Sequence, residues 1–404
     1  MPADAGRKGG LCMTDRELFF AIARGEPTDR LYFCPDITDW YLGNHRGPGE
    51  PLKYGPGVFI PEEDSIRHEH QEHLDPEFRD LSLLDFHRRY GWGIHCHIRD
   101  WYRVDYAPGT RLDTTVEGDR MTQVWSGPAG SLTRHWQLAA DGSWASLDYW
   151  MDGPEDLPVL ESLVDAERYT LLDENIRRVL DGIGEMGQAD IVVNRSPFGK
   201  LLHEYLGFAQ TVFLLEDEPE LCEHFLEVQT RKDKELMELA AASSCSLVLI
   251  CDHADSTLFS PTMYRQWCIP FYKQAGEILG RANKFVSTHL DGNLHTLLPL
   301  MAQTGFHILD GCTPAPMFDY EPEELAASLA PEQTAFVGVP SALFCDGTGE
   351  EELFALADRI LRAFHGRVIL NVGDILPANG DIRKVIALGE YVKRHPLNGR
   401  TAGR

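Results

Sequence analysis

Positive charge is scarce in this 404-residue chain: 37 Lys and Arg stand against 63 Asp and Glu, for a formal net charge of −26. Nucleic-acid phosphates are held by clustered Lys and Arg, so the balance argues against a nucleic-acid partner. It argues equally against an anionic membrane surface. No apolar run approaches the ~20 residues of a spanning helix, and the stretch Met1–Gly10 lacks the apolar segment of a signal peptide. The nine cysteines include no CxxC pair, which fits reduced thiols and a soluble, cytoplasmic protein. Missing too are GxGxxG after a strand, GxxxxGK[ST], GxSxG and HExxH, so nicotinamide, P-loop and serine-hydrolase readings have nothing to rest on. There is no internal repeat and no low-complexity segment.

What is present is an ordinary globular composition, 43% hydrophobic and 10% aromatic, in a chain long enough to bury a large core. Short apolar runs bounded by turn residues read as fully buried strands. They occur at residues 31–35, 190–194, 246–251, 285–289, 307–311, 335–339 and 367–371, separated by helical stretches. Strand and helix in alternation imply a parallel sheet. Seven strands are counted and an eighth is expected within residues 80–100, which predicts a (β/α)8 TIM-like barrel as a single domain over 1–404. Thr14-Asp-Arg-Glu17 is a capping box opening the first helix. Residues 91–150 carry alternating aromatic and polar residues with turns at Pro108-Gly109 and Asp141-Gly142, and read as antiparallel hairpins. The stretch 44–150 is therefore taken as an insertion after the first strand, and residues 154–181 as helical.

Polar residues gather where the apolar runs end, as the active-site rim of a barrel requires. His289 and Asp291 lie two apart and would share one face, roughly 6–7 Å apart. Asp310 or Cys312 follows the next strand and Asp374 the last. An imidazole with carboxylates suits Zn²⁺ or another divalent ion, so these five are the candidate metal ligands. Loop or helix capping is the plain alternative for them. Asp252 and His253, at another strand end, are the candidate catalytic pair. Asp36, Asn194 and Arg195 are candidate substrate contacts, Arg195 as a carboxylate or phosphate clamp. His95-Cys96-His97 alternates like a ligand pair but is read as a buried histidine or hairpin pair. His68, His70 and His73 read as a solvated helical face.

Five segments carry a resemblance: Arg16-Glu-Leu-Phe-Phe-Ala-Ile-Ala-Arg-Gly-Glu-Pro-Thr-Asp-Arg30, Ser126-Gly-Pro-Ala-Gly-Ser-Leu132, Leu258-Phe-Ser-Pro-Thr-Met-Tyr264 with Ile269-Pro-Phe-Tyr272, His289-Leu-Asp-Gly292, and Thr313-Pro-Ala-Pro316. With these the chain resembles the uroporphyrinogen decarboxylase superfamily, and within it the branch of methyltransferases that work with corrinoid proteins. The resemblance implies a barrel whose mouth holds the site. It also implies a methyl group taken from a small methylated or methoxylated compound, a zinc-type metal, and a corrinoid (cobalamin) on a partner protein. The family's His-x-Cys and later Cys ligands fall here on His289, Asp291 and Asp374, so both thiolates are replaced by carboxylates. The arginine-rich N-terminal segment of the porphyrinogen decarboxylases is not found. A metal-independent lyase acting on a small carboxylate is the second expectation, and a non-enzymatic binder of a small ligand or corrinoid the third.

Overall fold

The computed structural model describes residues 12–45, 74–139, 144–345, 347 and 349–395. Eight parallel strands line up as β1 (Tyr32–Phe33), β2 (Ile94–Ile98), β3 (Gly187–Val193), β4 (Leu247–Ile250), β5 (Phe285–His289), β6 (Ile308–Cys312), β7 (Thr334–Val339) and β8 (Val368–Val372). From β2 to β8 each pairs with the next in chain order, and β8 pairs with β1. At the remaining seam the Gly93 N–H donates to the Phe33 carbonyl at 3.0 Å, bringing β1 and β2 together. The result is the expected (β/α)8 barrel, and β2 is the strand sought within residues 80–100.

Strands β3 to β8 are buried on both faces, between an outer ring of helices and the barrel interior. That double burial is why they read as continuous apolar runs. β2 differs. Its Ile94, Cys96 and Ile98 are buried while His95 and His97 are half-buried, so the strand looks alternating and polar in sequence.

The first helix, α1 (Asp15–Ala23), starts at the expected capping box: Thr14 Oγ1 accepts from the Glu17 N–H, and Glu17 Oε2 accepts from the Thr14 N–H. Its Leu18, Phe19 and Ile22 pack with Tyr32, Leu247, Ile308, Phe336 and Ile369 in one buried cluster. Those strand residues sit toward the N-terminal ends, so α1 closes the barrel at its base.

Most of the antiparallel strands fall within residues 91–150, as expected, but their place relative to the barrel strands differs. Because β2 falls inside the 44–150 stretch, that stretch is not one insertion after the first strand. The antiparallel strands follow β2 instead, with Arg111–Glu117, Arg120–Gly127, Gly130–Leu138 and Trp144–Ser146 forming one four-stranded sheet. Glu167–Leu171, within the stretch expected to be helical, is a strand paired antiparallel with Tyr102–Tyr106. The tryptophans here are packing groups: the Trp125 and Trp150 rings meet at 5.6 Å, and buried Trp101 donates Nε1–H to the Val192 carbonyl at 2.8 Å. His68, His70, His73 and the Asp141-Gly142 turn lie outside the described residues. No helix among the described residues is long and apolar enough to cross a membrane.

Candidate active site

A cavity of about 180 Å³ opens at the C-terminal ends of the strands, lined among others by Asp36, His97, His253, His289, Asp310 and Asp374. Inward-pointing positions of the strands feed it. On β5 the buried Ser287 and His289 share a face, since side chains two apart on a strand point the same way. His289 Nδ1 lies 3.3 Å from Asp310 Oδ2 on β6, and its Nε2 lies 3.3 Å from Asp374 Oδ1 beyond β8. The ring has room because residue 311 is glycine. Gly311 has φ +72°, and a Cβ there would sit 2.7 Å from the His289 ring. Asn371 braces the rim, its Oδ1 accepting from the Asp36 N–H at 2.7 Å and its amide donating to the Asp374 carbonyl at 3.1 Å.

Asp291 lies just past the end of β5 and joins His253 and His289. One ligand-type atom from each of the three falls within 4.8 Å of the others. The His253 and His289 rings meet edge to face at 4.9 Å. His253 itself holds φ +47°, a conformation rare for a non-glycine residue and one that costs of order 1–3 kcal/mol, most often met at functional sites. Its Nε2 lies 3.1 Å from the Cys251 sulfur.

Burial and neighbouring charge set unusual protonation states here. Burial presses His253 down to about 3, helped by His289 and Arg195, so its ring is neutral at pH 7. For His289 burial works the other way from its partners, and Asp310 with Asp374 holds the ring above its ordinary value. Burial would raise Asp310, yet His289, with His95 and His97, keeps it below the usual carboxylate range. Burial lifts Asp374 to about 6 against the pull of His289, and it lifts Asp291 as well. A neutral imidazole, a second imidazole and a carboxylate with converging ligand atoms form a donor set that suits a divalent cation. Asp374 near 6 is also a carboxyl poised for proton transfer near neutrality.

A deeper layer was not expected. His95 and His97 are barrel residues rather than a hairpin pair, and Asp190 of β3 stands between them. His97 Nδ1 is 3.0 Å from both Asp190 oxygens, and His95 Nε2 is 3.0 Å from Oδ2. Burial opposes a charge on His97, but Asp190 lifts it to about 9. Asp190 is correspondingly held far below the usual carboxylate range despite its burial. Arg99, one alternation further along, also lines the cavity. The signal that could have found this layer was the His-x-His spacing itself.

Four of the sequence-derived candidates point elsewhere. Asp252 is fully buried and does not line the cavity. It accepts from the Ser196 N–H at 2.7 Å and from the Tyr272 hydroxyl, and so anchors the Pro197–Lys200 helix start. Cys312 is fully buried with its thiol toward the Leu309 carbonyl. The register shift between Leu309 and Cys312 carries it away from His289. Arg195 is engaged with Glu204 at 3.2 Å. Asn194 lines a separate cavity of about 160 Å³ beneath the hairpins, with Tyr102, Tyr106, Trp125 and Trp150.

The model of the family described as uroporphyrinogen decarboxylase (URO-D) matches residues 152–395. Among solved structures, a methyltransferase from Methanosarcina mazei superposes with TM-score 0.59 at 15% identity, covering 94% of this chain and 98% of that one. At that identity the likeness is one of fold. A structure from Listeria monocytogenes named for vitamin-B12 independent methionine synthase gives TM-score 0.34 at 10% identity, over 55% of this chain and 67% of that one. That likeness is too low to carry any argument. No curated protein matches the chain.

Proposed function

Because this chain belongs to the uroporphyrinogen decarboxylase family, whose model covers its barrel from β3 onward, we propose that it is a methyltransferase using the barrel mouth as its active site. In this reading it moves a methyl group from a small methylated or methoxylated compound to a corrinoid carried by a separate protein, in the cytoplasm. The observation that supports it most is the convergence of His253, His289 and Asp291, the two histidines lining the cavity. These three would hold a divalent cation such as zinc, His289 using one ring nitrogen and keeping a carboxylate neighbour on the other. A cation there would act as a Lewis acid on the heteroatom that gives up the methyl group.

The protein's own residues do the rest. Asp310 orients His289, as a carboxylate commonly orients a ligating imidazole. Asp374, near 6, can hold a proton or release it at the leaving heteroatom. The fold of the M. mazei methyltransferase is compatible with this assignment.

A second reading, a metal-independent lyase acting on a small carboxylate, draws on the same Asp374 as acid and base. Arg195 does not serve it as a free clamp, being paired with Glu204, and Arg99 is the cation that lines the cavity.

Elemental analysis separates the two. Purified protein should carry close to one divalent ion bound through the rim, lost from both His289→Ala and Asp291→Ala. Demethylation of methoxy or methylamine compounds with free cobalamin in the Co(I) state should then follow metal content. Carbon dioxide release from a carboxylate substrate by metal-stripped protein would overturn the methyltransferase in favour of the lyase.

A further inference from the structure

The deeper layer of the cavity does not take part in the reading above. His95 and His97 occupy alternate positions of β2, and the β2–β3 register places His97 opposite Asp190. Strand pairing alone therefore holds two imidazoles and a carboxylate on one interior face. One ligand-type atom from each lies within 4.8 Å of the others. Asp190 is fully buried, and both rings line the cavity. The surroundings fix the rings as well: Phe19 stacks on His95 at 5.9 Å, and Phe336 leans on it at 5.2 Å.

An ion pair explains only part of this. One imidazolium, His97, is enough to neutralise Asp190, and it already touches both carboxylate oxygens. The second ring is left over. His95 Nε2 is buried 3.0 Å from Asp190 Oδ2, close enough for charge attraction but out of line, so it makes no well-aligned hydrogen bond among the described residues. A buried ring nitrogen without a well-aligned partner is costly. Two imidazole nitrogens and a carboxylate oxygen converging on one point is what a cation's coordination shell needs.

We propose that His95, His97 and Asp190 form a second divalent-cation site, at the floor of the cavity and separate from the rim. The donor set favours a borderline ion such as zinc, cobalt, nickel or iron over magnesium or calcium. Three protein ligands leave a coordination position open toward the cavity, the arrangement of catalytic rather than structural sites. An oxygen donor on the molecule in the cavity, a carboxylate, hydroxyl or phenolate, would fill it. The His97 and His289 rings stand 6.5 Å apart, so a ligand bound at the rim would also reach the floor. The proposal does not depend on the rim binding metal.

The test uses the full chain with the rim disabled by His289→Ala and Asp291→Ala, stripped with chelator and titrated with Co(II). One Co(II) per chain is expected, with a visible d–d spectrum and two imidazoles counted by X-ray absorption. Adding His97→Gln or Asp190→Asn should remove that equivalent while circular dichroism stays native. Failure of the rim-disabled protein to bind Co(II), or binding unchanged by both floor substitutions, overturns the second site. If a floor variant does not fold, the imidazole count in the rim-disabled parent decides: two support the site, and none or one refutes it. Loss of metal from the rim variants alone would leave the second site refuted and the rim reading intact.

Discussion

Buried to 2% exposure, the His87 ring donates Nδ1–H to the Gly93 carbonyl at 2.7 Å. Burial outweighs that hydrogen bond and lowers its pKa from 6.5 to about 4. Between those two values the unfolded chain binds a proton that the folded one does not. Stability therefore falls as the pH drops through that window, by up to about 3 kcal/mol for this one ring. Urea unfolding at pH 7 and pH 5 should show the loss, and His87→Gln should flatten the difference. At the same scale, the sequence reading reaches as far as which polar residues stand at the strand ends. His289, Asp310 and Asp374 do meet around one ring. It failed where the direction of a side chain decided the outcome. Asp252 follows an apolar run as closely as His253 does, but alternation turns it toward Ser196 and Tyr272. Cys312 is turned by the positive φ of Gly311, which no spacing rule reveals.

Among the elements, β2 shows best what a sequence conceals. The other long strands were legible because both of their faces are apolar. β2 presents histidines to the barrel interior, so its pattern imitates a half-exposed hairpin strand and makes the whole 44–150 stretch look like one insertion. The Glu167–Leu171 strand was missed for a related reason: its half-buried, alternating pattern carries no apolar run. α1 was legible from its capping box. It also supports the site, since Phe19 is fully buried between Tyr32 and His95. Phe19→Ala should cost about 3–5 kcal/mol in urea unfolding. It should also loosen His95, visible as a changed imidazole chemical shift.

For the molecule as a whole, the net charge of −26 makes the folded state repel itself. Ion pairs such as Arg359 with Glu321 and Glu323 relieve this locally, but exposed pairs contribute little. Raising NaCl from about 10 mM to 150 mM shortens the screening length from about 30 Å to about 8 Å. The thermal midpoint should rise over that range, and scanning calorimetry at the two salt concentrations would measure it; a flat or falling midpoint would show that local pairing already cancels the repulsion. The barrel class and its C-terminal rim were readable at this scale because alternation of strand and helix is a property of the entire chain. The interior polar layer was not, because it depends on which strands become neighbours once the barrel closes.

The helix under the barrel has one more consequence. With α1 seated against Tyr32, Leu247 and Ile369, the cavity is a blind well: whatever goes in must come back out past the same side chains. Entry and departure share that one mouth, so the residues that ring it set the rate of both.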